Sequence, residues 1–408
     1  MGEKKLQKDI VNSLLFVLII GIISSLTFIH FFKNSYSVTI NNDIETETEY
    51  DFIFDPNEYF EIDSEGDFSS ESKPTKEKKL VKKITPETVK KQEQNKPQEE
   101  KLRESQERLY ISKLVNETNS TGTHKDINIV AAGDWYCNEE TKKTIKNIVQ
   151  VKPELIITTG DHVKESPSAA CWMEISKPIK DKMKIAIGNH DTEFASIYKQ
   201  IVNHHSLKNP YYSHDFKNIH FISMSTEHPF EPGSKQYEFI KSDLEKTSKN
   251  STIDWIIVHQ HKPLYSTKQD KKEAEQLRDI YHLLFHQNNV DLVLSSHNQY
   301  YERTYPLSFN KNYEAATNKQ TIPKPIITNN SKLFYQNVDG IIFLTVGTAG
   351  DELDPVTEKH DFYVVQESKF GFLNIEIENN GKTLMVKFHS NDGKIIDEFY
   401  LDKHKHNV

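Results

Sequence analysis

Seven short apolar, β-branched runs in the last two thirds of the chain each stop on polar or small residues, and this repeated ending limits the fold more than any other feature. INIVAAGD (127–134), LIITTGD (155–161), KIAIGNHD (184–191), NIHFISMST (218–226), IDWIIVHQH (253–261), VDLVLSSH (290–297) and IIFLTVGTAG (341–350) read as buried strands. Between them, Glu139 to Gln150, Lys235 to Ser248 and Ala274 to Gln287 carry helical spacing. Strands alternating with helices predict parallel pairing, and ligands of such sheets bind beyond the carboxyl ends of the strands. The polar tips should therefore converge on one site. Farther on, FLNIEIEN (372–379) and the run 382–401, which contains Asn391-Asp392-Gly393, predict antiparallel pairing. The expectation for residues 126–408 is an α/β sandwich with mixed sheets.

The N-terminal part is of another kind. Ile10 to Phe32 is apolar over the roughly 20 residues that a helix needs to cross a bilayer. Lys4, Lys5 and Lys8 precede it and only Lys33 follows before an acidic run, so the positive-inside bias predicts a signal anchor over 10–32. Residues 1–9 would then be cytoplasmic and the rest outside the cell. A cleaved signal peptide is the competing reading; the apolar stretch is long for one, and no small-residue cleavage site follows. Residues 34–72 hold 12 acidic and no basic side chains, and 73–103 hold 11 basic against 5 acidic. Such blocks bury too little apolar surface to offset their ordering entropy, so 33–125 reads as a disordered charged linker, with a helical stretch near Glu99 to Leu114. The lysine block is a solvated spacer or a contact for lipid or polyanion. The net charge of −9 and the absence of a nucleic-acid-binding motif exclude a basic nucleic-acid binder.

Of the 18 histidines, 16 follow residue 125, several beside the strand tips. In chain order the tips supply Asp134, Asp161, Asn189-His190-Asp191, His261 and His297. Carboxylates, an amide oxygen and two imidazoles form a hard-to-borderline ligand set suited to Fe, Zn or Mn. The order resembles the calcineurin-like metallophosphoesterases, and most closely their purple acid phosphatase branch. The marks are Gly188-Asn189-His190-Asp191, His261-Lys262-Pro263-Leu264-Tyr265, Tyr301-Glu302-Arg303-Thr304 and Thr345-Val346-Gly347-Thr348-Ala349-Gly350.

This resemblance implies an αββα sandwich and a catalytic centre of one or two transition-metal ions acting on a phosphoester. Asp161 would bridge, Asn189, His261 and His297 would complete one metal position, and Asp134 would serve the other. A metal-activated hydroxide would attack phosphorus while His190 protonates the leaving oxygen. Two family ligands of the other position are replaced: Gln299 stands for a histidine and Lys164 for a tyrosine. Lys164 either brings its ammonium into the site in place of a cation, or points to solvent while Gln299, Tyr136 and Asp134 hold a weak second metal. Tyr136 is a replacement oxygen ligand or an ordinary loop aromatic. His259, on the same side of its strand as His261, contacts substrate or the ligands, or is a polar edge residue. Cys137 and Cys171, in adjacent site loops, form a disulfide or remain free. The functional expectation is a membrane-anchored, extracytoplasmic phosphoesterase. Its alternative is a weakened one-metal member that binds a phosphorylated or nucleotide ligand without efficient turnover.

Overall fold

The computed structural model describes residues 100–113, 127–164, 168–267, 271–310, 325–378 and 381–404. The expected membrane span over 10–32 and the linker up to residue 99 lie outside the described residues. No helix among the described residues is long and apolar enough to cross a membrane.

A helix over 100–113 (α1) precedes the sandwich. The first half then runs β1 (Ile127–Ala132), α2 (Glu139–Val151), β2 (Leu155–Thr158), α3 (Ser168–Ile175), β3 (Met183–Ile185), α4 (Asn189–Thr192), α5 (Ala195–His204), β4 (Tyr212–Phe216) and β5 (Ile219–Ser223). It continues with α6 (Lys235–Thr247), β6 (Trp255–His259), α7 (Lys271–Gln287), β7 (Leu292–Ser295), β8 (Tyr301–Thr304), β9 (Leu307–Ser308) and β10 (Ile326–Ile327). The last strands are β11 (Phe334–Gln336), β12 (Ile342–Val346), β13 (Tyr363–Glu367), β14 (Gly371–Glu378), β15 (Thr383–Ser390) and β16 (Ile395–Asp402).

Two seven-stranded sheets form, in the orders β11-β16-β15-β14-β1-β2-β3 and β13-β8-β12-β7-β6-β5-β4. Both are mixed. β1 runs parallel to β2 but antiparallel to β14, and β12 runs parallel to β7 but antiparallel to β8. Alternate residues explain the layering. Ile129, Ala131 and Ile157 of the first sheet meet Phe221, Trp255, Ile257 and Leu344 of the second in a shared core. The intervening residues Val130, Ala132 and Ile156 face Ile145, Trp172 and Ile197 on helices α2, α3 and α5. On the far side Ile222, Val258 and Val293 meet Ile240, Leu277 and Phe285 on α6 and α7. Strands covered on both faces read as continuous apolar runs, as these do. The result is the expected αββα sandwich.

Three differences from the sequence reading stand out. Strands β4, β8 to β11 and β13 were not foreseen, and β8 coincides with the Tyr301–Thr304 motif. The C-terminal segment forms a three-stranded meander, β14 to β16, with Asn391-Asp392-Gly393 in its second turn. The helical stretch expected near Glu99 to Leu114 of the linker is present as α1, but it packs on the sandwich instead of standing in a solvated spacer. Helix α1 seats Ile111 among Leu333, Met385 and Tyr400, packs Tyr110 edge-on to Phe334, and pairs Glu100 with Lys332 at 2.5 Å. Its Arg103 donates to Asn330 at 3.0 Å, and Glu107 accepts from Ser331 at 2.9 Å. Charge composition does not reveal this apolar stripe.

Candidate metal centre

The parallel strands deliver their tips to one end of the sandwich: Asp134 after β1, Asp161 after β2, Asn189 at the start of α4 after β3, His261 after β6 and His297 after β7. Three of these residues are in the left-handed backbone region, Asp134 (φ 56°), Asp161 (φ 52°) and His297 (φ 69°). Non-glycine residues enter that region at a cost of about 1 kcal/mol or more, and such strain gathers at functional sites. Gly188 has no alternative, because a Cβ there would strike the Asp161 carboxylate.

Ligand atoms of Asp161, His261 and His297 lie within 4.8 Å of one another. His261 is wholly buried. Its Nδ1 faces the Thr159 carbonyl at 2.9 Å and Ser296 Oγ at 3.0 Å, while its Nε2 faces Asn189 Oδ1 at 2.9 Å and Asp161 Oδ2 at 3.1 Å. A carbonyl can only accept, so Nδ1 carries the proton and Nε2 is turned toward two oxygens. Second-partner hydrogen bonds of this kind fix which imidazole nitrogen faces a metal. Burial works against charge on both partners. Even so, His261 and the His190 N–H hold the Asp161 carboxyl below its usual range, and Asp161 raises His261. Two oxygens and two imidazoles in this arrangement fit a first-row dication.

His190 lies at the rim with its side chain 29% exposed. Its backbone N–H donates to Asp161 Oδ1 at 2.9 Å, and its Nδ1 is 3.2 Å from Glu193 Oε2. The next residue, Asp191, ties the site together. Its carboxylate accepts from the His162 N–H (2.8 Å) and the Gly188 N–H (3.0 Å), and contacts His162 Nδ1 at 2.9 Å; His162 Nε2 is 2.6 Å from Thr158 Oγ1. Both side chains are fully buried. Sequence reasoning missed His162, although it directly follows Asp161, and that position was the available signal.

Asp134 lies beside the cluster. Its Oδ2 accepts from the His297 N–H at 2.7 Å, whereas its Oδ1 is buried without a hydrogen-bond partner among the described residues. Burial pushes this carboxyl up, with His261 opposing and Asp161 and Asp351 adding. Lys164 does not simply point to solvent. Its Nζ donates to both oxygens of Asp351, at 3.0 and 2.9 Å. Burial opposes its charge, but Asp351 and Asp134 raise its pKa. Gln299 is held in the adjoining loop, where its N–H donates to Asp354 Oδ2 at 3.3 Å and its carbonyl accepts from the Asp354 N–H at 2.9 Å. Tyr136 is half-buried and anchored by its backbone N–H to Thr141 Oγ1 at 3.1 Å.

Two further expectations are settled by position. His259 is no edge residue: β6 lies between β5 and β7, and alternation with Trp255 and Ile257 sends the ring into the core between the sheets. Burial lowers its pKa to about 3. Cys137 and Cys171 form a disulfide, with Cα atoms 6.0 Å apart, that links the loop after Asp134 to α3.

Residues 127–301 match the family described as Calcineurin-like phosphoesterase. Probable purple acid phosphatase 20 of Arabidopsis thaliana is 22% identical over 294 residues, which is 66% of this chain and 63% of that protein. Probable inactive purple acid phosphatase 9 of the same plant is 38% identical over 106 residues, 25% of this chain and 16% of that protein. The chain thus spans less than two thirds of the length of these relatives. Among solved structures, a purple acid phosphatase from yellow lupin (Lupinus luteus) seeds shares the fold at TM-score 0.55 and 20% identity, covering 69% of this chain and 55% of that one.

Proposed function

We infer that the folded part of this chain, a calcineurin-like phosphoesterase domain with purple acid phosphatase relatives, is a metal-dependent phosphoric ester hydrolase. The observation that carries this reading is the convergence of Asp161, His261 and His297, with Asn189 Oδ1 against His261 Nε2, at the carboxyl ends of parallel strands. A dication held by these four residues would supply positive charge to phosphate oxygens and make water a better nucleophile near neutral pH.

The remaining work falls to the chain itself. Thr159 and Ser296 keep the His261 ring in register with Asp161. Asp191 fixes the turn that carries Asn189 and His190 against the segment that carries Asp161. His190 stands at the open rim; Glu193 at its Nδ1 leaves Nε2 to give a proton to the departing ester oxygen. His190→Ala should lower turnover of p-nitrophenyl phosphate by about 10²–10⁴-fold with metal content unchanged. Wild-type turnover in this variant would remove His190 from the role of acid.

The reading extends to place. The apolar run 10–32 with its preceding lysines supports a single N-in span, and the Cys137–Cys171 bond supports an oxidising compartment for the domain. Protease added to intact cells should release the domain; protection until lysis would reverse the orientation. A second reading, a binder of phosphorylated or nucleotide ligands with little turnover, is favoured by Lys164 and Gln299 where the family has ligands. Phosphate binding by a purified protein that hydrolyses no phosphoester would decide for it.

A further inference from the structure

The cluster of Asp161, Asn189, His261 and His297 accounts for one cation, yet more charge is gathered beside it. Asp134 keeps one buried carboxylate oxygen, Oδ1, without a hydrogen-bond partner among the described residues. Next to it, Lys164 Nζ bonds both oxygens of Asp351, and Lys164 also senses the Asp134 charge. The Asp351 backbone N–H in turn donates to the Asp134 carbonyl at 2.9 Å. The ion pair is therefore built on the Asp134 turn itself. Asp351 is 5% exposed and the Lys164 side chain 38%, so the carboxylate is sunk while the lysine reaches the open side.

A second dication at Asp134 would meet a resident ammonium and would find Asp351 already taken. Like charges in a partly buried site repel strongly, and among the described residues Asp134 stands outside the group of ligand atoms within 4.8 Å of one another that Asp161, His261 and His297 form. The ammonium also has three donors, and a carboxylate fork leaves one N–H for an incoming anion. We propose that this centre holds one metal ion and that Lys164, pinned by Asp351 on the Asp134 turn, is the second positive charge met by phosphate oxygens. It rests on reading the Asp161 cluster as a metal centre, and it assigns to Asp351 the role of a positioning residue.

The test uses the full chain, with metal content measured by inductively coupled plasma mass spectrometry and inorganic phosphate binding by calorimetry. The wild type should hold close to one metal per chain. Lys164→Met should keep that metal and lose about tenfold or more in phosphate affinity, the loss expected for one charged hydrogen bond. Lys164→Arg should retain most of the affinity, and Asp351→Asn should keep the metal while changing phosphate affinity in the direction of Lys164→Met. Two tightly bound metals in the wild type, or unchanged phosphate affinity in Lys164→Met, would overturn the proposal. One metal with Lys164-dependent phosphate binding but no phosphoester turnover would sink the hydrolase reading and leave this one standing.

Discussion

Asp191 is the residue whose replacement tests the architecture of the centre most directly. Its carboxylate is fully buried and serves three nitrogen partners: the N–H groups of His162 and Gly188, and the His162 ring. Asp191→Ala removes the acceptor and leaves two backbone donors and an imidazole in a dry environment. Each such orphan costs about 1–3 kcal/mol, and water entering the vacated space recovers part, so the loss should be about 3–5 kcal/mol. Asp191→Asn keeps one oxygen and should cost about 1–3 kcal/mol. Urea unfolding followed by tryptophan fluorescence suits the measurement, because buried Trp172 lies 5.3 Å from the His162 ring. The same bonds hold the strand tips carrying Asp161 and Asn189, so metal affinity should fall about 10–100-fold in Asp191→Ala. A loss of stability below about 1 kcal/mol in Asp191→Ala, or unchanged metal affinity, would refute this account.

Arg303 is buried against Asp397, with Nε 2.5 Å from Oδ2 and Nη2 2.8 Å from Oδ1, and it also donates to Tyr335 Oη at 2.9 Å. Arg303→Ala should destabilise the fold by about 3–5 kcal/mol because Asp397 stays buried without its counter-ion, keeping only the Tyr301 hydroxyl, with metal content unchanged; metal loss at full stability would place Arg303 in the site instead. Burial lowers His259 to about 3 and His214 to about 4, so both stay neutral in the fold and take up a proton on unfolding in mild acid. The unfolded chain then binds more protons between about pH 6.5 and 4, and stability should fall as pH falls through that window, at a slope approaching about 2.7 kcal/mol per unit for the pair. His282 and His205, lowered by burial to about 3 and about 2, add to the same slope, so His259→Leu should take about 1.4 kcal/mol per unit off the total in urea melts across pH; an unchanged slope would show that the ring is not neutral in the fold.

The strands that end in ligands were legible because two signals coincide there. A run apolar on both faces marks a strand covered by helices, and an abrupt polar tip marks its carboxyl end, so Asp134, Asp161, Asn189, His261 and His297 can be ordered from the sequence alone. Partners across the fold were not legible. Asp351 is 187 residues from Lys164, and nothing in the run around it distinguishes it from Glu352 or Asp354. Ser296 has its hydroxyl 3.0 Å from His261 Nδ1, a pairing that its place before His297 in the sequence does not disclose. His259 shows the limit of strand periodicity: spacing of two told which side the ring takes, but not that β6 is an interior strand. The helix α1 was expected near Glu99 to Leu114, but charge blocks concealed its packing on the sandwich, since its apolar contacts come one turn at a time.

The seating of α1 has a mechanical side. The helix runs beside residues 330–336 of the edge strand region, gripping it through Glu100 to Lys332, Arg103 to Asn330, Glu107 to Ser331 and Ile111 among Leu333, Met385 and Tyr400. Tension arriving from residues before 100 therefore meets this row of contacts before it reaches β1, which carries Asp134 at its far end. The polar contacts at residues 100–107 come first, and the apolar grip of Ile111 comes last. A pull on the chain would peel the helix off turn by turn, and the metal-binding strand tips would feel strain only after Ile111 had left its seat.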